Sequence, residues 1–262
     1  VPDAVSRFSG YAGAYDAARP RPPAELVTLI TQWAGVAQPD VVDVGAGTGL
    51  STMIWADRAR QVIAVEPSAQ MRAITERKIA AAATGTSFTV TGGTAEQTGL
   101  PDGCADVVTA SQAMHWFDAG RALPEIARLL RPGGVLAAYD CDWPPCIDWQ
   151  ADAAYAEADR RITELESAAG LRPPHAGKDH LGRVQRSGLF RYATEVAVHG
   201  QESGDASRLV DVALSQGGAV ALLAAGATED ELGITRLREV AARRLSKPLT
   251  WWWTYRIRLA VR

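Results

Sequence analysis

The stretch Val41-Val42-Asp43-Val44-Gly45-Ala46-Gly47-Thr48-Gly49-Leu50 constrains the fold more than any other. A short apolar run breaks into glycines at alternate positions, and Ser51-Thr52-Met53-Ile54-Trp55-Ala56 then reads as a helix start. A strand that ends in a glycine-rich turn and opens a helix brings backbone close to a nucleotide-like ligand in α/β proteins. A Cβ there would block the ligand or forbid a positive φ. The helix behind the turn points free N–H groups at the same place. The spacing is Asp43-x-Gly45-x-Gly47-x-Gly49, so the third glycine arrives one residue earlier than in the dinucleotide pattern G-x-G-x-x-G. Seventeen residues beyond Gly49, Glu66 ends a second apolar run, Val62-Ile63-Ala64-Val65. An acid at that strand tip accepts hydrogen bonds from a ribose diol and repels a 2′-phosphate.

Strands are expected at 40–44, 61–66, 86–91, 105–111, 135–140, 192–199 and 249–261. Helices are expected at 24–33, 51–60, 68–83, 123–130, 150–166 and 181–187, with two or three more across 205–245. Arg131-Pro132-Gly133-Gly134 reads as the turn that ends one of those helices. Strand–helix alternation implies a parallel sheet with helices on both faces and a ligand at the C-terminal strand tips. The 262 residues carry 47% hydrophobic and 22% charged side chains and a formal net charge of −3, the balance of an ordinary globular chain without the basic surplus that nucleic acid binding needs. No apolar run approaches the roughly eighteen residues that span a membrane. The N-terminus has no apolar signal-peptide core. Three cysteines, an odd number, argue for free thiols in a reducing compartment, so a cytoplasmic protein is expected. His175 and His180 flank a polar loop, but no cysteine, third histidine or H-E-x-x-H arrangement accompanies them, so no metal site is expected.

The Asp-x-Gly-x-Gly-x-Gly turn followed by a strand-end acid resembles the class I S-adenosylmethionine-dependent methyltransferases. Further landmarks follow in order: Gly93-Thr94-Ala95-Glu96, Leu100-Pro101-Asp102, Ser111-Gln112-Ala113-Met114-His115-Trp116-Phe117 and Leu130-Arg131-Pro132-Gly133-Gly134. The chain is most similar to the small-molecule branch, the ubiquinone/menaquinone-type and trans-aconitate-type enzymes, over residues 8 to 140. The resemblance implies an α/β, Rossmann-like, seven-stranded and mostly parallel sheet with an antiparallel last strand, helices on both faces and a small helical cap. Residues 1–39 would form an N-terminal helical lid and 40–262 the methyltransferase domain, with cap segments at about 144–188 and 202–247.

It also implies S-adenosyl-L-methionine as cofactor, S-adenosyl-L-homocysteine as product, and in-line methyl transfer to an O, N or C atom of a small molecule. Asp43, Gly45, Ala46, Gly47, Gly49 and Glu66 would bind the cofactor. Pro67 and Met71 would offer apolar surface to the adenine, with Thr94, Ala95 and Glu96 along its edge. Ser111 and Gln112 would hold the methionyl amine. Phe8, Tyr11 and Tyr15 share one helical face, and Tyr15 and Arg19 of the lid would reach the methionyl end. Tyr11, His115, Trp116, Asp142 and Trp143 are the candidate acceptor contacts. His115 is also the candidate general base, because an imidazole titrates near neutrality. The Asn/Asp-Pro-Pro-Tyr/Phe pattern of amide- and base-nitrogen methylation is missing, and eight tryptophans suit an apolar pocket. The expected partner is therefore a small methyl acceptor, not nucleic acid or membrane, with the oligomeric state open. A cofactor-binding relative that cyclises its substrate or only binds remains a second reading. A nicotinamide dehydrogenase is a third, disfavoured by the early glycine and the lack of a Tyr-x-x-x-Lys pair.

Overall fold

The computed structural model describes residue 16, residues 18–171 and residues 179–262; Tyr11, Tyr15 and His175 lie outside the described residues. The first half alternates strand and helix: α1 (Ala24–Ala34), β1 (Asp40–Val44), α2 (Leu50–Met53), β2 (Gln61–Val65), α3 (Ala69–Ala81), β3 (Ser87–Thr91), β4 (Ala105–Ser111), α4 (Ala119–Leu129) and β5 (Leu130–Cys141). The second half adds α5 (Trp149–Ala168), α6 (His180–Arg186), β6 (Tyr192–Gly204), α7 (Ala206–Leu214), α8 (Gly217–Ala224), α9 (Ile234–Arg244) and β7 (Leu249–Val261). Seven strands form one sheet in the order β3-β2-β1-β4-β5-β7-β6. β1 pairs in parallel with β2 and β4, β2 with β3, and β4 with β5, whereas β7 runs antiparallel to β5. This is the Rossmann-like sheet that the sequence implies. Strand order reverses between β1 and β4, so the crevice for a ligand opens at their C-terminal tips.

The chain divides into two compact units, whose boundaries fall inside β6 and β7. The sheet unit holds Arg21–Cys141, α6, β6 as far as Val198 and Tyr255–Arg262. Every residue of β1 is buried, as a central parallel strand requires. Val42, Val44, Val108 and Leu136 of the sheet pack with Leu123, Ile126 and Leu129 of α4 and Val184 of α6. α1 buries Leu26, Val27 and Ile30 and ends at Gly35 with φ 66°.

Two sequence expectations change here. The helix expected at 51–60 is a single turn, Leu50–Met53, because the chain tightens at once. Trp55 N–H donates to Thr52 O and Ala56 N–H to Met53 O, three residues back rather than four. Asp57 then takes a φ of 58°, and its N–H donates to the hydroxyls of Thr84 and Thr86. The turn expected at 131–134 is already strand: Leu130 pairs with Ala105, and a register shift between Ala105 and Val107 absorbs the extra residues.

A polar clamp ties α4 to the loop before β4. Glu125 accepts from the Thr98 N–H at 2.9 Å, from the Thr98 hydroxyl and from Arg128, which also donates to Leu100 O at 2.8 Å. Arg128 and Thr98 hold the Glu125 carboxyl down to about 2, against 4.5 for a free glutamate. A depressed pKa contributes stability that is present above 4.5 and lost as pH falls toward 2. Glu125→Gln is expected to lower stability at pH 7 and to flatten the acid limb of a stability–pH profile, so that its deficit against wild type shrinks as pH falls through that window. Urea unfolding at a series of pH values reads this out, and an unchanged acid limb would contradict it.

The helical unit holds α5, α7, α8 and α9 with the remaining ends of β6 and β7. α9 packs on α5 and α7, and α8 on α5. Alternation along β7 buries Trp251 and Trp253 and leaves Trp252 exposed. A Cβ on Gly204 would come within 2.4 Å of the Trp251 ring, so only glycine fits there. Trp143 meets Trp253 edge-on at 5.3 Å, and the Arg19 guanidinium lies 4.8 Å from the Trp143 ring centroid. Arg19 also donates to Ser215 O at 3.1 Å and to Gln216 Oε1 at 3.2 Å.

Candidate functional site

The glycine turn has the geometry its sequence predicts. Gly45, Gly47 and Gly49 have φ of 68°, 58° and 81°. A Cβ on Gly45 would stand 2.9 Å from Ala113 Cβ, and one on Gly49 would stand 2.8 Å from Thr75 Cγ2, so the turn is pressed between the β4 tip and α3. Asp43 does a different job from its glycines. Its carboxylate is wholly buried and accepts from Thr109 Oγ1 at 2.7 Å, Ser51 Oγ at 3.1 Å and Thr52 Oγ1 at 2.7 Å. Ser51 Oγ in turn bonds the Tyr139 hydroxyl. The network joins β1, β4, β5 and the start of α2 under the turn. Burial pushes the Asp43 carboxyl up, and the three hydroxyls pull it partly back.

Glu66 lies at the tip of β2, 7% exposed. Its Oε2 accepts from Gly47 N–H at 2.9 Å and its Oε1 from Ser68 N–H at 2.9 Å. Both carboxylate oxygens are thereby fixed against the glycine turn, and each keeps a lone pair for a further donor. Burial raises the Glu66 carboxyl, and the two backbone N–H groups oppose that. Beside it Pro67 is exposed and Met71 buried, its sulfur 3.9 Å from where a Gly47 Cβ would be. Thr94 is exposed and Ala95 buried in a tight loop closed by Thr94 and Gln97. Glu96 Oε1 accepts from Asp118 N–H at 2.9 Å, so its carboxylate braces the entry to α4.

The β4 tip carries a backbone irregularity. Gln112 takes φ 53°, rare for a residue with a side chain, while its N–H donates to Tyr139 O at 2.8 Å. Such strain persists where the surroundings over-determine it, and it often marks a working site. A short 3₁₀ turn, Met114–Trp116, follows and buries Met114 while His115 and Trp116 stay half-buried.

His115 lies beside Asp140 of β5 and the buried His180 at the start of α6; one ligand-type atom from each lies within 4.8 Å of the others. Asp140 Oδ2 is 3.8 Å from His180 Nε2 and accepts from Arg258 Nη1 at 2.7 Å. Arg258 Nε donates to Glu195 Oε2 at 2.7 Å. Glu195 and Arg258 escaped the sequence reading, which weighed His180 only beside His175. The available signal was the charged pair Arg256 and Arg258 inside a strand with apolar neighbours. Arg19, Asp142 and Trp143 belong to the helical unit, and Tyr11 and Tyr15 lie outside the described residues.

Residues 42–138 match the family model of a methyltransferase domain. They carry a methyltransferase domain. The resemblance read from the sequence therefore holds. A methyltransferase of Mycobacterium tuberculosis whose substrate is not characterised is 40% identical over 133 residues, 49% of each chain. A malonyl-[acyl-carrier protein] O-methyltransferase of Pectobacterium atrosepticum is 35% identical over 134 residues, 50% of this chain and 49% of its own. The chain thus spans about half the length of the curated relatives it matches. A solved structure of a candidate type II methyltransferase from Anaeromyxobacter dehalogenans superposes with a TM-score of 0.71 at 26% identity, covering 93% of this chain and 97% of its own. Among the described residues no helix is long and apolar enough to cross a membrane.

Proposed function

We propose that this methyltransferase binds S-adenosylmethionine at the glycine turn and transfers its methyl group by in-line displacement to an O, N or C atom of a small-molecule acceptor. The observation that carries the reading is Glu66, a buried carboxylate at the β2 tip fixed by Gly47 N–H and Ser68 N–H. A fixed acceptor pair beside the turn suits a ribose diol. Gly45, Ala46, Gly47 and Gly49 supply close backbone. Pro67, Met71, Thr94 and Ala95 frame the adenine, and Glu96 holds that frame against α4. Asp43 acts under the turn as a positioning residue. Backbone at Ser111 and Gln112 takes the methionyl amine, which the left-handed Gln112 turns toward the strand tips. Trp116 and His115 line the acceptor side.

The cofactor brings an already activated methyl on a positive sulfur, so the protein's task is alignment and exclusion of water. Orientation of two bound reactants supplies on the order of 7–11 kcal/mol of the barrier. A carboxylate acceptor needs no base; a hydroxyl or amine would use His115.

Calorimetric titration with S-adenosylmethionine and S-adenosylhomocysteine tests this. Glu66→Ala is expected to weaken both at least tenfold, about 1.4 kcal/mol. Affinity of the wild type is expected to fall on acidification at a higher pH than an ordinary glutamate would dictate, because burial raises the Glu66 carboxyl and only the ionised form accepts from both ribose hydroxyls. Well-folded wild type that binds neither compound would sink the assignment. Acceptors are then sought by the mass gain of one methyl group.

A further inference from the structure

We propose that His115, Asp140 and His180 form a binding site for a divalent first-row transition-metal ion. The three come from separate elements, the 3₁₀ turn after β4, the end of β5 and the first residue of α6, and the fold brings them to one place. One ligand atom from each lies within 4.8 Å of the other two. Bonds of about 2.0–2.2 Å to imidazole nitrogen and carboxylate oxygen hold ligand atoms roughly 3–3.5 Å apart. Closing the trio around an ion therefore asks for side-chain torsions, not a change of backbone.

Two imidazoles and one carboxylate are a set that suits Zn²⁺, Fe²⁺ or Co²⁺ and leaves coordination positions open; Mg²⁺ and Ca²⁺ take oxygen ligands instead. The open positions would lie toward His115, which is half-buried, and away from His180, which is 1% exposed. Such an ion could hold water or an oxyanion there.

Charge is the main objection, because the Arg258 guanidinium lies against Asp140. Arg258 is shared, however, between Asp140 and Glu195, each at 2.7 Å, so the two carboxylates and the guanidinium together keep one net negative charge that a dication would offset. Arg256 lies 3.5 Å from Glu195 but is half exposed, where water screens it. Arg258 occupies Oδ2 of Asp140, which leaves Oδ1 for the ion. The sequence pairs His180 with His175 across a loop; the structure instead brings His180 to His115 and Asp140, which sequence spacing could not reveal.

The test uses the full chain without an affinity tag, stripped with chelator and titrated with Co²⁺ by visible absorption, then with Zn²⁺ in competition. One Co²⁺ per chain is expected, with d–d bands and no thiolate charge-transfer band. His115→Gln and His180→Ala are each expected to weaken it tenfold or more. His115→Gln guards against a folding defect at the buried His180, and circular dichroism checks both. Absence of stoichiometric Co²⁺ binding by folded wild type would overturn the proposal. So would unchanged affinity in His115→Gln, or a thiolate band showing that a cysteine holds the ion. Titration with S-adenosylmethionine in the presence of chelator reads the cofactor site separately, so either reading can fail without the other.

Discussion

Asp43→Ala is expected to lower the stability of the sheet unit by about 3–5 kcal/mol, the loss expected when several buried hydroxyls lose their common acceptor. Asp43 is fully buried, and its carboxylate is the common acceptor for Ser51, Thr52 and Thr109. Alanine leaves three hydroxyls without that acceptor in a dry interior, each such orphan costing about 1–3 kcal/mol when nothing replaces its partner. Asp43→Asn is expected to cost less, about 1–2 kcal/mol, because an amide oxygen still accepts and the rotatable hydroxyls can receive its N–H groups.

The pH dependence has a definite sign. Burial raises the Asp43 carboxyl above its unfolded value, so its contribution to stability is greatest when protonated and falls as pH rises through the folded pKa. The advantage of wild type over Asp43→Asn should therefore shrink with rising pH. Urea unfolding of the three proteins at several pH values checks both statements. A loss below about 1 kcal/mol in Asp43→Ala would show that the network does not brace the turn.

The parts of this molecule legible in the sequence are those in which a local rule and the tertiary fold ask for the same residue. Gly45 and Gly49 need a positive φ and also stand where a Cβ would strike Ala113 or Thr75, so one residue type answers two demands. The apolar runs of β1, β2 and β4 are buried between helices and have no other use. Long-range side-chain pairing escaped the sequence instead. Asp57 shortens the helix after the glycine turn through hydroxyls nearly thirty residues away on Thr84 and Thr86. Leu130 joins the sheet through a bulge opposite Ala105, which no turn propensity at Pro132-Gly133-Gly134 announces.

At the candidate site the same division holds. The glycine turn and the strand-end acid, from Gly45 to Glu66, read directly from spacing. The far side, where His115 meets Asp140, His180 and Arg258, depends on antiparallel β7 and on α6, whose register no periodicity fixes. Even Glu66 and Glu96, which the sequence singles out as acids, turn out to be anchored by backbone N–H groups of Gly47, Ser68 and Asp118. Such anchoring is a contact of the folded chain, and spacing alone does not encode it.

Arg258→Met is expected to cost about 3 kcal/mol, the low end for removing one partner of a buried ion pair. Register explains why the arginine is where it is. Arg258 stands opposite Ala138 and Arg256 opposite Asp140 on the antiparallel pair of β7 and β5, so Arg258 meets Asp140 on the diagonal of one face. Its side chain is 6% exposed and holds Asp140 and Glu195, whose side chains are 18% and 31% exposed. Methionine fills the space of the aliphatic stem but leaves two partly buried carboxylates facing each other. Water reaching them moderates the penalty, hence the low end of the range.

Arg258→Lys should recover only part of the loss, since one ammonium cannot bridge two carboxylates as the guanidinium fork does. The decisive measurement is a double-mutant cycle. Once Arg258 is methionine, Asp140→Asn removes an orphaned charge and should stabilise, whereas in the wild-type background the same change should destabilise. Additive effects, within about 0.5 kcal/mol, would mean that Arg258 and Asp140 do not act together and that the guanidinium's burial is supported by packing alone.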